Sequence, residues 1–148
     1  MRALLQRVSS AQVTVDNAVV GSIQRGLLVF AGIGKTDTES DGDWIIEKIR
    51  AVRIFEDEQG KMGKSLSDIN GELLIVSQFT LYGNLRKGTR PDFGDSMSVA
   101  QAREFYEKWV AKFRQACPLK IEEGRFAAKM AVQLVNDGPV TIMIDSQD

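Results

Sequence analysis

The apolar positions of this chain follow two rhythms. In the first third they alternate. Leu4, Gln6 and Val8 interleave with Ala3, Leu5 and Arg7, the two-residue period of a strand with apolar residues on both faces. Gln12 to Val15 and Ala18 to Ile23 flank Asp16-Asn17, a pair that predicts a tight hairpin because Asp and Asn tolerate positive φ. Leu27 to Ile33 is a nearly continuous apolar run between Gly26 and Gly34, which predicts a central strand buried on both faces. A second buried strand is expected over Glu72 to Gln78, after the Asn70-Gly71 turn and around Leu73, Leu74, Ile75 and Val76.

The helical rhythm occurs twice. From about Ser40 to about Val52, Ile45, Ile49 and Val52 recur at i, i+4 and i+7, and Asp41 and Asp43 suit the positive end of the helix dipole. The second helix opens at Ser98, where Gln101 three residues on predicts a capping box. Ala102, Phe105, Tyr106, Trp109, Val110 and Phe113 trace its apolar face, and Cys117-Pro118 stops it. Two strands close the chain, Met130 to Val135 and Val140 to Ile144, joined through Asn136-Asp137-Gly138-Pro139. Gly83 to Met97 has little periodicity and reads as a long loop, a class of segment that is usually functional or disordered. Strands and helices in this order predict an α+β protein, and without repeats or linkers residues 1–148 read as one domain.

Composition removes more chemistry than it suggests. The 148 residues include one Cys and no His. A Ser-His-Asp or Cys-His catalytic set is therefore excluded, as is a His-liganded zinc site. Cys117 alone can form neither an intrachain disulfide nor a cysteine metal cluster. With 19 Lys and Arg against 20 Asp and Glu, a net charge of −1 argues against a general polyanion-binding surface, though not against a local basic patch. Gln6 and Arg7 interrupt the first apolar run, so no signal peptide is expected. No stretch approaches the ~18 apolar residues of a membrane span. A cytoplasmic protein is expected, with no membrane partner.

A few segments remain as candidates for chemistry. Ser77-Gln78-Phe79-Thr80-Leu81 lies where a buried strand gives way to the long loop, a place where free backbone N–H groups can hold an anionic intermediate. The bland alternative is a polar strand end facing water. Thr80 as a nucleophile needs a neighbouring base, and neither Lys nor carboxylate adjoins it in sequence. At Gly138-Pro139 a cis bond costs only ~0.5–1 kcal/mol, so both isomers are open. Arg86, Lys87 and Arg90 place three cations in five residues, suited to phosphates or simply to solvent. Lys61-Met62-Gly63-Lys64-Ser65 lacks the glycine spacing of a phosphate-binding P-loop. Glu56-Asp57-Glu58 ahead of Gly60 reads as a charged turn.

Taken in order, these segments resemble the D-aminoacyl-tRNA deacylase family of the type with a glycine–proline selector. The resemblance is carried by Gln6-Arg7-Val8, Arg53-Ile54-Phe55, Lys61-Met62 and Ser77-Gln78-Phe79-Thr80-Leu81. It continues through Gly88-Thr89-Arg90-Pro91-Asp92-Phe93, Gly124-Arg125-Phe126 and Asn136-Asp137-Gly138-Pro139-Val140-Thr141, covering essentially the whole chain. Some relatives carry Gly where this chain has Ala127.

The resemblance implies a barrel-like, mostly antiparallel sheet with two helices. It also implies a homodimer that hydrolyses the ester joining a D-amino acid or glycine to the terminal adenosine of tRNA. Gly138-Pro139 of one chain would enter the partner's pocket, and Arg7 would hold that dipeptide. Ser77, Gln78, Phe79 and Thr80 would line the pocket, with Phe126 and Met130 at its edge. Water activated by the terminal ribose 2′-OH would attack, so Thr80 becomes a pocket residue rather than a nucleophile. Neither metal nor other cofactor is required. The alternatives are a dimeric tRNA-binding module without hydrolysis and a hydrolase driven by paired carboxylates.

Overall fold

The computed structural model describes residues 1–148. Its backbone is organised around one long strand, β1 (Arg2–Val15), whose two halves serve two different cores. Ala3 and Leu5 feed a core beneath the helices, whereas Val8, Ala11, Val13 and Val15 feed a smaller one inside the curl of the sheet. The hairpin at Asp16-Asn17 forms as expected, both residues having positive φ (49° and 63°), and returns the chain as β2 (Ala18–Ile23). The N-terminal half of β1 then pairs antiparallel with β3 (Gly26–Gly32).

The first helix, α1 (Glu39–Ala51), follows, with Ile45, Ile46 and Ile49 buried. Thr38 caps it, its amide donating to Asp41 Oδ2 at 2.8 Å. A small hairpin, β4 (Phe55–Glu56) and β5 (Met62–Lys64), precedes β6 (Glu72–Ser77). The turn between β4 and β5 is the expected acidic one. Amides of Lys61 and Gln59 donate to the Asp57 carboxylate and hold it below its ordinary pKa. β6 lies parallel to β3, so the central strands are buried on both faces by the helices and the curled sheet.

The second helix, α2 (Val99–Ala116), crosses to β7 (Ile121–Glu123), which is parallel to β6. Ser98 precedes it as expected, but its hydroxyl bonds the Gln101 side chain at 2.8 Å and makes no backbone cap. The last strand, β8 (Ala131–Asp145), runs antiparallel along the whole of β1. The sheet order is β2-β1-β3-β6-β7, with β8 on the free edge of β1. Gly21 of β2 comes so close to the Glu123 carbonyl of β7 that a Cβ would collide with it. The sheet is thus nearly closed, a barrel-like body with two helices on one side. No helix is long and apolar enough to cross a membrane.

The expectations about strands also need correction. The two strands read before and after Ser9 are one strand, because an irregularity between Val8 and Ser10 changes the register without ending the ladder. The two closing strands are likewise one strand, interrupted by a larger bulge. Strand β7 was missed, since three residues after a proline carry too short a pattern.

Phe113 is fully buried between the sheet and α2 and meets the Trp109 ring edge-on at 5.6 Å between centroids. Phe113→Ala should cost about 3–5 kcal/mol through the cavity it leaves. At fixed protein concentration, thermal unfolding should shift down by on the order of 10 °C. A loss below ~1 kcal/mol would mean the helix packs loosely against the sheet.

Candidate active site

A cavity of about 640 Å³ opens where β3 and β6 end. Carboxyl ends of parallel strands are common ligand sites, because chain leaving the sheet there exposes backbone groups and loops. Ala31 of β3 and Val76 and Ser77 of β6 form its inner wall, with Ile33 just beyond β3. Gln78 and Phe79 carry the wall outward, Met97 to Val99 bring in the start of α2, and Phe126, Met130 and Val132 close the far side.

The strand end is built to expose amides. Gln78 N–H donates to the Ala31 carbonyl at 2.8 Å, the last bond between the two strands. Phe79–Tyr82 then form a single tight helical turn. The Phe79 and Thr80 amides open that turn without a backbone acceptor, as the first donors of any helical turn do. The Gln78 side-chain amide meets the Thr80 hydroxyl in a short contact, so that hydroxyl is already engaged. Across the rim, the Phe79 and Phe93 rings meet edge-to-face at 4.9 Å between centroids.

Of the residues expected here, Ser77, Gln78, Phe79, Phe126 and Met130 line the cavity. Thr80 is exposed and does not line it. Arg7, Gly138 and Pro139 do not line it either, but they form a second construction of their own. Register along β1 and β8 jumps from Gln6↔Thr141 to Val8↔Asn136, so Arg7 alone faces the bulge from Asp137 to Val140. Arg7 is 6% exposed; it donates to the Asp137 carbonyl through Nε and to the Ile54 carbonyl through Nη1, both at 2.7 Å. The Asn136 side chain clamps the neck of the bulge, accepting from Val140 N–H at 2.8 Å and donating to Val140 C=O at 3.1 Å. Gly138 and Pro139 stand exposed at its crest, and the peptide between them is cis.

Sequence reasoning missed Asn136 as a clamp, Ile54 as an anchor, and the lining residues Phe93, Met97 and Ala128. Ala127, also in the lining, has φ of 61°, a conformation that suits glycine better than alanine. Near the cavity, Tyr82 is pushed well above the ordinary phenol pKa by burial and then by the Asp37 and Asp145 carboxylates. It stays neutral at working pH.

The cavity walls carry Ser77, Gln78, Ser96 and Ser98 as polar side chains, and no Asp, Glu, Lys or Arg. Such a site can bind, orient and stabilise charge through backbone dipoles, but lends its substrate neither acid nor base from a side chain. It suits a substrate whose reacting bond is already activated.

The family model described as D-Tyr-tRNA(Tyr) deacylase matches residues 4–145. The D-aminoacyl-tRNA deacylase of Thermotoga petrophila is 55% identical, over 99% of this chain and 97% of its own length. That of Clostridium tetani is 49% identical, over 99% and 98%. Among solved structures, the c-Myc DNA unwinding element binding protein superposes with a TM-score of 0.93 at 42% identity, over 98% of each chain. A probable eukaryotic D-amino acid tRNA deacylase reaches 0.84 at 18% identity, over 97% of this chain and 98% of its own, a likeness of fold alone. This chain belongs to the D-Tyr-tRNA(Tyr) deacylase family. It is a hydrolase that cleaves D-aminoacyl-tRNA, and the reading as a binding module without activity falls away.

With no titrating side chain in the cavity wall, kcat should lack a bell-shaped profile between about pH 6 and 9. Any change should be monotonic and set by the substrate, whose α-ammonium belongs to a class titrating near ~7.7–8.0. Steady-state rates at saturating D-tyrosyl-tRNA check this. Two opposed ionisations that move with a protein substitution would show that a side chain from elsewhere enters the site.

Proposed function

We propose that two copies of the chain form a cytoplasmic homodimer in which Gly138-Pro139 of each enters the cavity of the other. The paired sites then hydrolyse D-aminoacyl-tRNA and glycyl-tRNA, including glycine mischarged on tRNA(Ala), and reject L-aminoacyl-tRNA. The observation that carries this reading is the separation within one chain. The bulge at Asp137 to Val140 is clamped from beneath by Arg7 and Asn136, yet its exposed crest contributes nothing to the cavity of its own chain. A turn held so firmly suits insertion elsewhere. Its setting favours a second copy, since β8 has one unpaired edge and exposes Val135 and Met143 on either side of the bulge.

The chemistry needs little from side chains. Water, positioned by the terminal ribose 2′-OH, attacks the ester carbonyl and passes its proton through that hydroxyl to the ribose 3′-oxygen as that oxygen departs. Phe79 and Thr80 N–H groups stabilise the tetrahedral oxyanion, which collapses with the ribose 3′-oxygen as leaving group. Ser77 and Gln78 position the reactants, Thr80 steadies the Gln78 side-chain amide through its hydroxyl, and Phe126 and Met130 close the pocket edge. The inserted dipeptide meets the substrate at Cα. An L side chain points into that backbone and clashes, a D side chain points toward the open mouth, and glycine has no Cβ to exclude. The selector therefore rejects L without recognising D.

Matched D-tyrosyl-, L-tyrosyl- and glycyl-tRNA test the selector. The unaltered enzyme should turn over the D and glycyl substrates with almost no L turnover. Arg7→Ala frees the Asp137 and Ile54 carbonyls, so activity or discrimination should weaken. Comparable L and D rates in the unaltered enzyme would remove the role given to Gly138-Pro139.

Assembly has its own check. On serial dilution, specific activity should fall in step with dissociation of the dimer, because a lone chain lacks half of each site. Full activity in a demonstrated monomer would end the cross-subunit arrangement.

A further inference from the structure

We propose that the cations flanking the cavity on two separate segments hold backbone phosphates of the acceptor end of the tRNA, docking the RNA while the neutral pocket handles the ester. This rests on the deacylase activity and does not depend on the selector. The cations are Arg86, Lys87 and Arg90 on one segment, and Arg103, Arg125 and Lys129 around the other.

The first three ride an excursion from Asn84 to Asp92. Its base is pinned by two backbone bonds between those residues, Asn84 N–H to Asp92 O at 2.8 Å and Asp92 N–H to Asn84 O at 2.9 Å. Phe93, next in sequence, lines the cavity and packs on Phe79. A cation triplet thus begins at the cavity rim. On the opposite wall, Arg125 and Lys129 bracket the lining residues Phe126, Ala127 and Ala128. The Arg103 guanidinium lies over the Phe126 ring, 4.8 Å from its centroid.

Pairing separates these six from most of the other cations. Arg2, Arg7, Lys35, Arg50, Lys64, Lys108, Lys112, Arg114 and Lys120 all have a carboxylate within 4.0 Å. None of the six flanking the cavity does, and all six are exposed. Residues 84–93 hold three cations against one carboxylate, and residues 124–130 hold two against none. In a chain of net charge −1, this is a local concentration of unneutralised positive charge at the entrance to the one site where an RNA end must enter.

The test compares D-tyrosyl-tRNA with D-tyrosyl-adenosine, which keeps the ester and terminal nucleoside but has no phosphodiester. The variant Arg86→Gln/Lys87→Gln/Arg90→Gln is set beside Arg25→Gln/Lys48→Gln/Lys61→Gln, which removes equal charge from residues outside the cavity wall. For the first variant, the slope of log kcat/KM against log salt on D-tyrosyl-tRNA should become shallower by about 2–3. Its rate on D-tyrosyl-adenosine should stay within about twofold of the unaltered enzyme, since no phosphate contact is involved. The control should keep the original slope. An unchanged slope, an equal loss on both substrates, or a control that matches the first variant would each overturn the proposal. A much lower kcat/KM of the unaltered enzyme on D-tyrosyl-adenosine than on D-tyrosyl-tRNA would support the proposal, as the expected cost of losing the phosphate contacts. Failure on both would remove the deacylase reading itself.

Discussion

The constraint on which the rest of the structure depends is the burial of Arg7 in the ladder between β1 and β8. A guanidinium removed from water is costly unless its donors are satisfied, and here two backbone carbonyls satisfy it at 2.7 Å. One belongs to Asp137, where the bulge begins, and the other to Ile54, ahead of the small hairpin. The Asp137 carboxylate, 3.7 Å away and half exposed, adds little beside these bonds. Arg7 therefore fixes the bulge to the body of the protein through backbone groups whose positions do not depend on side-chain rotamers.

The same place is where the fold changes cores. β1 turns its buried side chains from the helix-covered core to the interior of the curled sheet between Leu5 and Val8. β8 does likewise across its bulge, since Val132 and Leu134 pack on the inner core while Val140, Ile142 and Ile144 join the helix side. In β1 plain alternation makes that change, since Leu5 and Val8 lie three residues apart. Leu134 and Val140 of β8 lie six apart, and only an irregularity puts them on opposite faces. The bulge is thus required by the two-core architecture, and exposing Gly138-Pro139 follows from the same irregularity.

Periodicity revealed the elements that packing made regular. The hairpin at Asp16-Asn17, the buried strands and the apolar face of α2 were all readable, because a single burial requirement repeats along each. Joining of strands was not readable. Ser9-Ser10 and Asn136 to Pro139 look like breaks, and nothing local says that hydrogen bonding resumes in register beyond them. Ser98 and Gln101 had the spacing of a capping box, but spacing cannot say that the two side chains would bond each other. At the site, Ser77 to Phe79 were accessible through motif resemblance. Phe93, Met97 and Ala128 were not, because an apolar residue in a loop gives no sign of which wall it will form. Asn136 carried a signal that was passed over: an Asn beside a Gly-Pro turn is the side chain best able to pair both with an N–H and with a C=O across it.

The neutral cavity wall and the charged rim are two answers to one problem. An oxyanion forming on the ester is best met by fixed N–H dipoles in a low-dielectric site, where a mobile lysine would have to be desolvated on every binding event. The RNA backbone asks for the opposite: exposed, flexible charges that keep their hydration and need no single geometry. Placing cations on the wall would depress catalysis by drawing in water. Placing apolar residues on the rim would leave nothing to hold a polyanion. The chain separates the two within a few residues, Arg125 to Phe126 just after β7 and Arg90 to Phe93 in the loop ahead of α2, where the aromatic lines the cavity and the cation stays exposed. Chemistry that depends on backbone amides can therefore coexist with a substrate far larger than the pocket.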